Sequence, residues 1–145
     1  MAFPSPAPGL VIRYAYLWRD EFQRGQEEGL KDRPCAILLN VADDDDRQSV
    51  LVLPVTHTPP NDPALAVEIP AATKKRLGLD DERSWIVLTE SNRFTWPGPD
   101  LRPGTPGDPQ SVAYGLLPQK LFNEVRDKWL ALYRARKSQT VARTE

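Results

Sequence analysis

Three short stretches of this 145-residue chain place chemistry-bearing side chains at the ends of apolar runs. In KDRPCAILLN, residues 31–40, Arg33 stands directly before Pro34 and an unbroken apolar run. Proline fixes its own φ and biases the preceding residue toward extended backbone, so the guanidinium leaves the strand start in a defined direction. Such a planar fork suits bidentate contact with a carboxylate or a phosphate. In VLVLPVTHTPP, residues 50–60, Thr56, His57 and Thr58 emerge where an apolar strand ends. Hydroxyl and imidazole groups there can hydrogen-bond a phosphate or shuttle a proton. In SWIVLTESN, residues 84–92, Glu90 follows a third apolar run and is a candidate general base. Each stretch alone also fits a plain role: an arginine paired with Asp32 or solvated, a Ser/Thr turn beside a solvated histidine, an ordinary turn carboxylate.

These side chains need a scaffold of strands. Leu10–Trp18 is aromatic and β-branched and predicts a strand. Cys35–Val41 and Ser49–Leu53 predict two more, joined as an antiparallel hairpin by the aspartate block 43–46, a solvated tip. Ala66–Ile69 and Ser84–Leu88 follow the same style, and Ala71–Leu77 predicts a short helix ended by Gly78. Trp96–Pro109 carries five prolines and three glycines, which excludes regular structure across it. From Pro118, the residues Leu121, Phe122, Val125, Trp129, Leu132 and Tyr133 form one helical stripe. The expected whole is mostly β, of α+β character: a small curled barrel with a C-terminal amphipathic helix. One domain is expected over residues 9–136, with flexible termini at 1–8 and 137–145.

Composition narrows the function classes. Apolar residues make up 40% and charged residues 27%, a balance of folded globular proteins rather than disordered ones. No run reaches the roughly 20 apolar residues of a membrane span, and MAFPSPAPG does not read as a secretory signal. Cys35, the single cysteine, reads as a packed core thiol in a reducing cytosol, so a cytoplasmic protein without membrane contact is expected. With one Cys and one His, a Cys/His zinc site is excluded, and no metal or cofactor is expected. The net charge of −1 gives no general drive toward nucleic acid, although the aspartate block leaves the rest of the chain net positive.

Taken in order, these pieces resemble the PemK/MazF family of toxins from type II toxin–antitoxin systems. The likeness covers most of residues 9–130. It comprises the glycine-led strand GLVIRYAYLW, a Gly-and-Glu loop ending in Arg33-Pro34, the Pro54-Val55-Thr56 strand end, the acid-terminated IVLTE, and the helix opened by Pro118. Such a resemblance implies an SH3-like β-barrel of the PemK/MazF/CcdB type. It also implies a homodimeric, metal-independent and sequence-selective endoribonuclease that cleaves single-stranded RNA and is neutralised by a cognate antitoxin. Arg33 would then stabilise charge on the scissile phosphate, Thr56 would position a phosphate oxygen, and Glu90 would act as general base. Glu27 or Glu28 answers to the family's loop glutamate, and with Lys31 they fall to the RNA-contacting loop. Some relatives carry an arginine two residues before the base, where this chain has Leu88. The leaving-group proton then falls to Arg33, His57 or water.

The Pro-rich excursion supports two readings. As a recognition loop, it offers Phe94 and Trp96 as stacking faces and Arg93 and Arg102 as charges. As a barrel-closing loop, it uses Trp96 as a core anchor. Two rival functions stand beside the ribonuclease: a non-catalytic SH3-like interaction module, and a protein-binding poison like CcdB. The latter depends on a tryptophan at the very end of its chain, whereas this sequence ends in TVARTE with Trp129 on the helical stripe.

Overall fold

The hairpin around the aspartate tip is the spine of the fold. In the computed structural model, which describes residues 2–25, 31–43 and 45–143, β2 (Arg33–Ala42) and β3 (Gln48–Thr56) pair antiparallel, with Cys35 opposite Pro54 and Ala36 opposite Leu53. At the tip, Asp43 Oδ1 accepts hydrogen bonds from the backbone N–H groups of Asp45 and Arg47 at 2.9 Å each, an Asx-type turn. A register shift between Ile37 and Leu39 bends the hairpin. On the other edge of β2 lies β1 (Leu10–Tyr14), flanked in turn by β7 (Ala113–Leu116).

The outer edge of β3 is shared between two partners. Its first half, Gln48–Val52, pairs with β6 (Glu90–Trp96), and Val55–Thr56 pair with β5 (Trp85–Val87). Pro54, which has no N–H to give a ladder, falls at the change of partner. A short β4 (Ala66–Glu68) extends β5, and β8 (Gln139–Ala142) runs parallel to β6. The path ends at β4 on one side and β7 on the other without closing. The fold is thus α+β, with an open, largely antiparallel sheet in place of the closed barrel expected. Among the described residues it carries three α-helices: α1 (Arg19–Gln23), α2 (Ala71–Leu77) and α3 (Gln119–Arg134). None is long and apolar enough to cross a membrane.

Period-two alternation gives the sheet two apolar faces. Val11, Ala36, Leu38, Leu51 and Leu53 lie with Phe122, Val125, Trp129 and Leu132 of α3 in one cluster. Burying each such side chain stabilises by roughly 1.5–3 kcal/mol, which outweighs any intrinsic preference of α3. On the opposite face Ile12, Tyr14, Cys35, Ile37, Val50, Val52 and Phe94 are covered by Leu101 and Val112, contributed by the Pro-rich segment and the 3₁₀ turn that follows it. Burial pushes the Cys35 thiol far above its ordinary range, as suits an inert core thiol.

Four local expectations differ from the structure. The strand expected over Leu10–Trp18 stops at Tyr14. Beyond it, the buried Asn92 carboxamide accepts from Leu17 N–H at 2.9 Å and donates to Leu17 C=O at 2.8 Å, replacing a ladder, and the chain then turns into α1. Arg93–Trp96, expected within a loop, complete β6. Gln139–Ala142, expected in a loose tail, form β8, because Val141 is buried and Arg143 ion-pairs with Asp100 at 2.9 Å. Residues 2–8 contain no regular structure, yet the Trp96 indole N–H donates to Pro4 C=O at 3.0 Å.

Candidate functional site

The β2–β3 register decides where Arg33 goes. With Cys35 opposite Pro54, two residues back along β2 and two forward along β3 bring Arg33 level with Thr56. The Arg33 guanidinium donates from Nη1 to Val55 C=O at 3.2 Å and lies 4.8 Å from the centroid of the Trp18 ring. Its Nε–H is buried without a partner. Asp32, the carboxylate nearest in sequence, turns instead toward Arg102 at 3.6 Å. Among the described residues no carboxylate pairs with Arg33. An unpaired guanidinium fixed by a carbonyl and a ring keeps its remaining donors for an anion.

Arg33 opens onto a cleft of about 300 Å³, whose walls include Arg13, Lys31, Thr56, His57, Lys74, Asp80 and Tyr114. Arg13 repeats the pattern of Arg33: its Cζ lies 5.0 Å from the Tyr114 ring centroid, and its Nε–H is buried and unpartnered. A buried donor left unpaired costs about 1–3 kcal/mol, and two such donors belong to side chains that line this one cleft. Burial raises the Tyr114 hydroxyl above its ordinary range, which keeps it protonated at neutral pH despite the nearby Arg13.

A second cluster forms the wall beside Thr56. The Lys74 side chain is only 5% exposed, and its Nζ donates to Asp80 Oδ1 and Ser84 Oγ, each at 2.6 Å, and to Glu82 C=O. The other Asp80 oxygen, Oδ2, lies 2.8 Å from His57 Nε2. His57 Nδ1 faces Glu82 Oε2 more loosely, at 3.4 Å. Lys74, and secondarily His57, hold the Asp80 carboxyl below the usual carboxylate range. Asp80 therefore stays ionised and holds the imidazole at Nε2, while the Glu82 carboxylate faces Nδ1.

Of the sequence-derived candidates, Lys31, Arg33, Thr56 and His57 share this cleft. Glu90 does not line it. Its Oε1 accepts from the Tyr16 hydroxyl at 3.1 Å and from Arg19 N–H at 2.9 Å, and burial raises its carboxyl above the ordinary value. The expected stacking face of Phe94 is also corrected: the ring is 4% exposed and packs on Tyr14 at 4.6 Å between centroids. Trp96 is pinned to Pro4, and Arg102 Nη1 donates to Pro99 C=O at 2.8 Å, so both are tied to their own fold. Arg93 is exposed on β6, opposite Leu51, away from the cleft lining. Glu27 and Glu28 lie outside the described residues.

Arg13, Lys74, Asp80 and Tyr114 join the site from positions that sequence reasoning passed over. Arg13 was visible as the one charge within LVIRYAYLW, and Asp80 as the first acid after the glycine that ends α2. Among the described residues no group of three or more His, Cys, Asp or Glu side chains is placed to hold a metal ion. No family model matches the sequence, and no curated protein matches it.

Proposed function

We propose that the chain is an endoribonuclease that cleaves single-stranded RNA through the substrate's own 2′-hydroxyl, using protein cations and an imidazole rather than a metal ion. One observation carries the reading: two guanidiniums without a carboxylate partner among the described residues, Arg13 and Arg33, face a single cleft with Thr56 and an aspartate-held His57. A phosphodiester in that cleft meets fork donors from two sides and a hydroxyl from Thr56. Once the Glu82 carboxylate swings away from Nδ1, the neutral His57 imidazole takes the 2′-hydroxyl proton at that nitrogen. O2′ then attacks phosphorus, O5′ departs and takes a proton from water, and the products are a 2′,3′-cyclic phosphate and a 5′-hydroxyl. Charge building on the nonbridging oxygens is held by Arg33 and Arg13. The 2′-hydroxyl requirement excludes DNA as a substrate.

The order of motifs and the meeting of Arg33 with Thr56 favour kinship with the PemK/MazF toxins and their SH3-like fold. By that kinship the protein acts as a cytoplasmic homodimer under the control of an antitoxin. The base differs from the role assigned by resemblance: Glu90 stands outside the cleft, and His57 takes its place. The test is incubation of the purified protein with mixed-sequence single-stranded RNA in EDTA. Fragments ending in 2′,3′-cyclic phosphate are expected. Intact RNA that nonetheless binds would favour the non-catalytic module, and intact RNA that fails to bind would remove nucleic acid from the account.

A further inference from the structure

The cleft sits at one end of the sheet, where four neighbouring strands meet in the order β3-β2-β1-β7. Each brings a side chain to it. His57 follows the last residue of β3, Arg33 opens β2, Arg13 is the last residue but one of β1, and Tyr114 is the second of β7. The imidazole and the phenol thus come from the outer strands of the four, with both guanidiniums between them. Adjacent strands lie roughly 4.8 Å apart, so a phosphate on the two arginines has His57 on one side and Tyr114 on the other.

Tyr114 reaches this position through a β-bulge. Val11 pairs with Gly115 and Ile12 with Ala113, which leaves Tyr114 as the extra residue between them. Regular alternation would set Tyr114 opposite Ile12, on the sheet face away from Arg13. The bulge, with Gly115 at φ 138°, turns the ring instead to the face of Val11, where Arg13 lies over it. The Tyr114 hydroxyl has no hydrogen-bond partner among the described residues. Burial dominates its titration, and Arg13, Asp32 and Asp80, all of which line the cleft, act on it as well.

We infer that Tyr114 is the general acid of the cleavage, the group that hands a proton to the departing O5′. The inference rests on the ribonuclease reading and completes its last step. An in-line displacement sends the leaving oxygen out opposite the attacking one, so acid and base must stand on opposite sides of phosphorus. The strand order meets that requirement. As the P–O5′ bond breaks, its electron pair passes to O5′, and the Tyr114 O–H proton joins that oxygen. The phenolate left behind lies under the Arg13 guanidinium, 5.0 Å from its ring centroid, which favours the charge as it forms. Water then reprotonates the phenolate, so water remains the ultimate source of the proton on O5′. His57 returns the O2′ proton to solvent. An alkoxide is far more basic than a phenolate, so a phenol that stays protonated at neutral pH suits the step.

The experiment uses the full chain in EDTA and two versions of one RNA, built around a linkage that the parent protein cuts. One version keeps the natural O5′ and the other carries a sulfur in its place. A thiolate departs without a proton, so the sulfur substrate needs no general acid. Tyr114→Phe removes the hydroxyl and keeps the ring under Arg13. It should cut the natural RNA about 100-fold more slowly than the parent, the low end for a positioned acid. On the sulfur RNA the two proteins should agree within about twofold, and RNA affinity should match on both substrates. Equal rates on the natural RNA would overturn the inference. Equal slowing on both substrates would also overturn it and make the phenol a structural group. If the variant is partly unfolded, the comparison is made within each protein. The gain from sulfur should then be about 100-fold larger in Tyr114→Phe than in the parent, and an equal gain would refute the assignment. RNA left intact by the parent would remove the ribonuclease reading itself, and the acid with it.

Discussion

Two arginines, Arg33 and Arg143, both sit against aromatic rings, and they do opposite jobs. The Arg143 side chain is 2% exposed, and its guanidinium meets Asp100 at 2.9 Å, Ala15 C=O at 2.9 Å, Asn92 Oδ1 at 3.2 Å and the Tyr14 hydroxyl at 3.3 Å. Its charge is neutralised and its fork is filled by the protein. Arg33 has one carbonyl contact, a ring face and an unpartnered Nε–H. The number of partners the protein supplies thus separates an arginine that holds the fold from one that waits for an anion. Glu90 and Asp80 divide by where their partners stand rather than by their number. Glu90 faces a tyrosine hydroxyl and a backbone N–H, whereas Asp80 faces a lysine and a histidine at the cleft.

The contrast breaks most visibly at Arg143. Arg143→Met should cost about 3 kcal/mol of stability in urea denaturation, because the buried Asp100 exchanges its 2.9 Å pair for the more distant Arg102 guanidinium at 3.9 Å. A second change, Asp100→Leu, should restore most of that loss, whereas a loss that persists would assign the cost to lost packing. Next comes His57→Ala, which should lower turnover by about 100-fold, the low end of what a positioned general base supplies. RNA affinity and stability should hold, and an equal loss of affinity would make His57 a binding group instead. Asp80→Asn should reduce turnover by about tenfold through the loosened imidazole. It should also cost about 1–2 kcal/mol, less than a wholly buried pair because Asp80 is half exposed.

Acid sharpens that prediction through linkage. The Asp80 carboxyl is depressed, so its contribution is present above the ordinary aspartate value and is lost as pH falls through the lower folded value. Asp80→Asn should therefore flatten the acid limb of the stability–pH curve. Glu90 has the opposite sign. Its folded value is raised by burial, so the fold holds a proton that the unfolded chain has released, and stability declines as pH rises from the ordinary glutamate value through the raised one. Glu90→Gln should remove that decline and leave turnover within about twofold, the smallest effect of the set. A large loss of turnover would return Glu90 to the mechanism.

Much of the scaffold was legible in the sequence because it obeys local rules. The hairpin follows from two apolar runs around an aspartate tip, α2 from its helix formers and Gly78, and α3 from a stripe of which Phe122, Val125, Trp129 and Leu132 are buried while Tyr133 stays exposed. The Arg33–Thr56 meeting is readable once the hairpin register is known. What stayed hidden is non-local. β8 is four residues with one buried apolar side chain, and Arg143 beyond it is held by Asp100, which is 43 positions away. The Asn92–Leu17 pairing, which ends β1 and opens α1, spans 75 positions, and no period announces it. Glu90 looked like a strand-end base because the apolar run before it is real. Its side chain, however, is taken up by Tyr16 and Arg19, a fact that belongs to the tertiary fold.

Arg33 bears the central claim, and the most direct measurement is the cleavage rate of single-stranded RNA in EDTA by the parent protein, Arg33→Ala and Arg33→Lys. Charge builds on phosphorus oxygens in the transition state, so losing one preorganised donor should lower turnover by about 100- to 1,000-fold, or about 3–4 kcal/mol, for Arg33→Ala. Lysine restores charge without the planar fork and should rescue only part of the loss. Urea midpoints should stay close to that of the parent, because among the described residues the guanidinium has no carboxylate partner to lose. Folded variants that both cut RNA as fast as the parent would contradict the account and make Arg33 a structural residue.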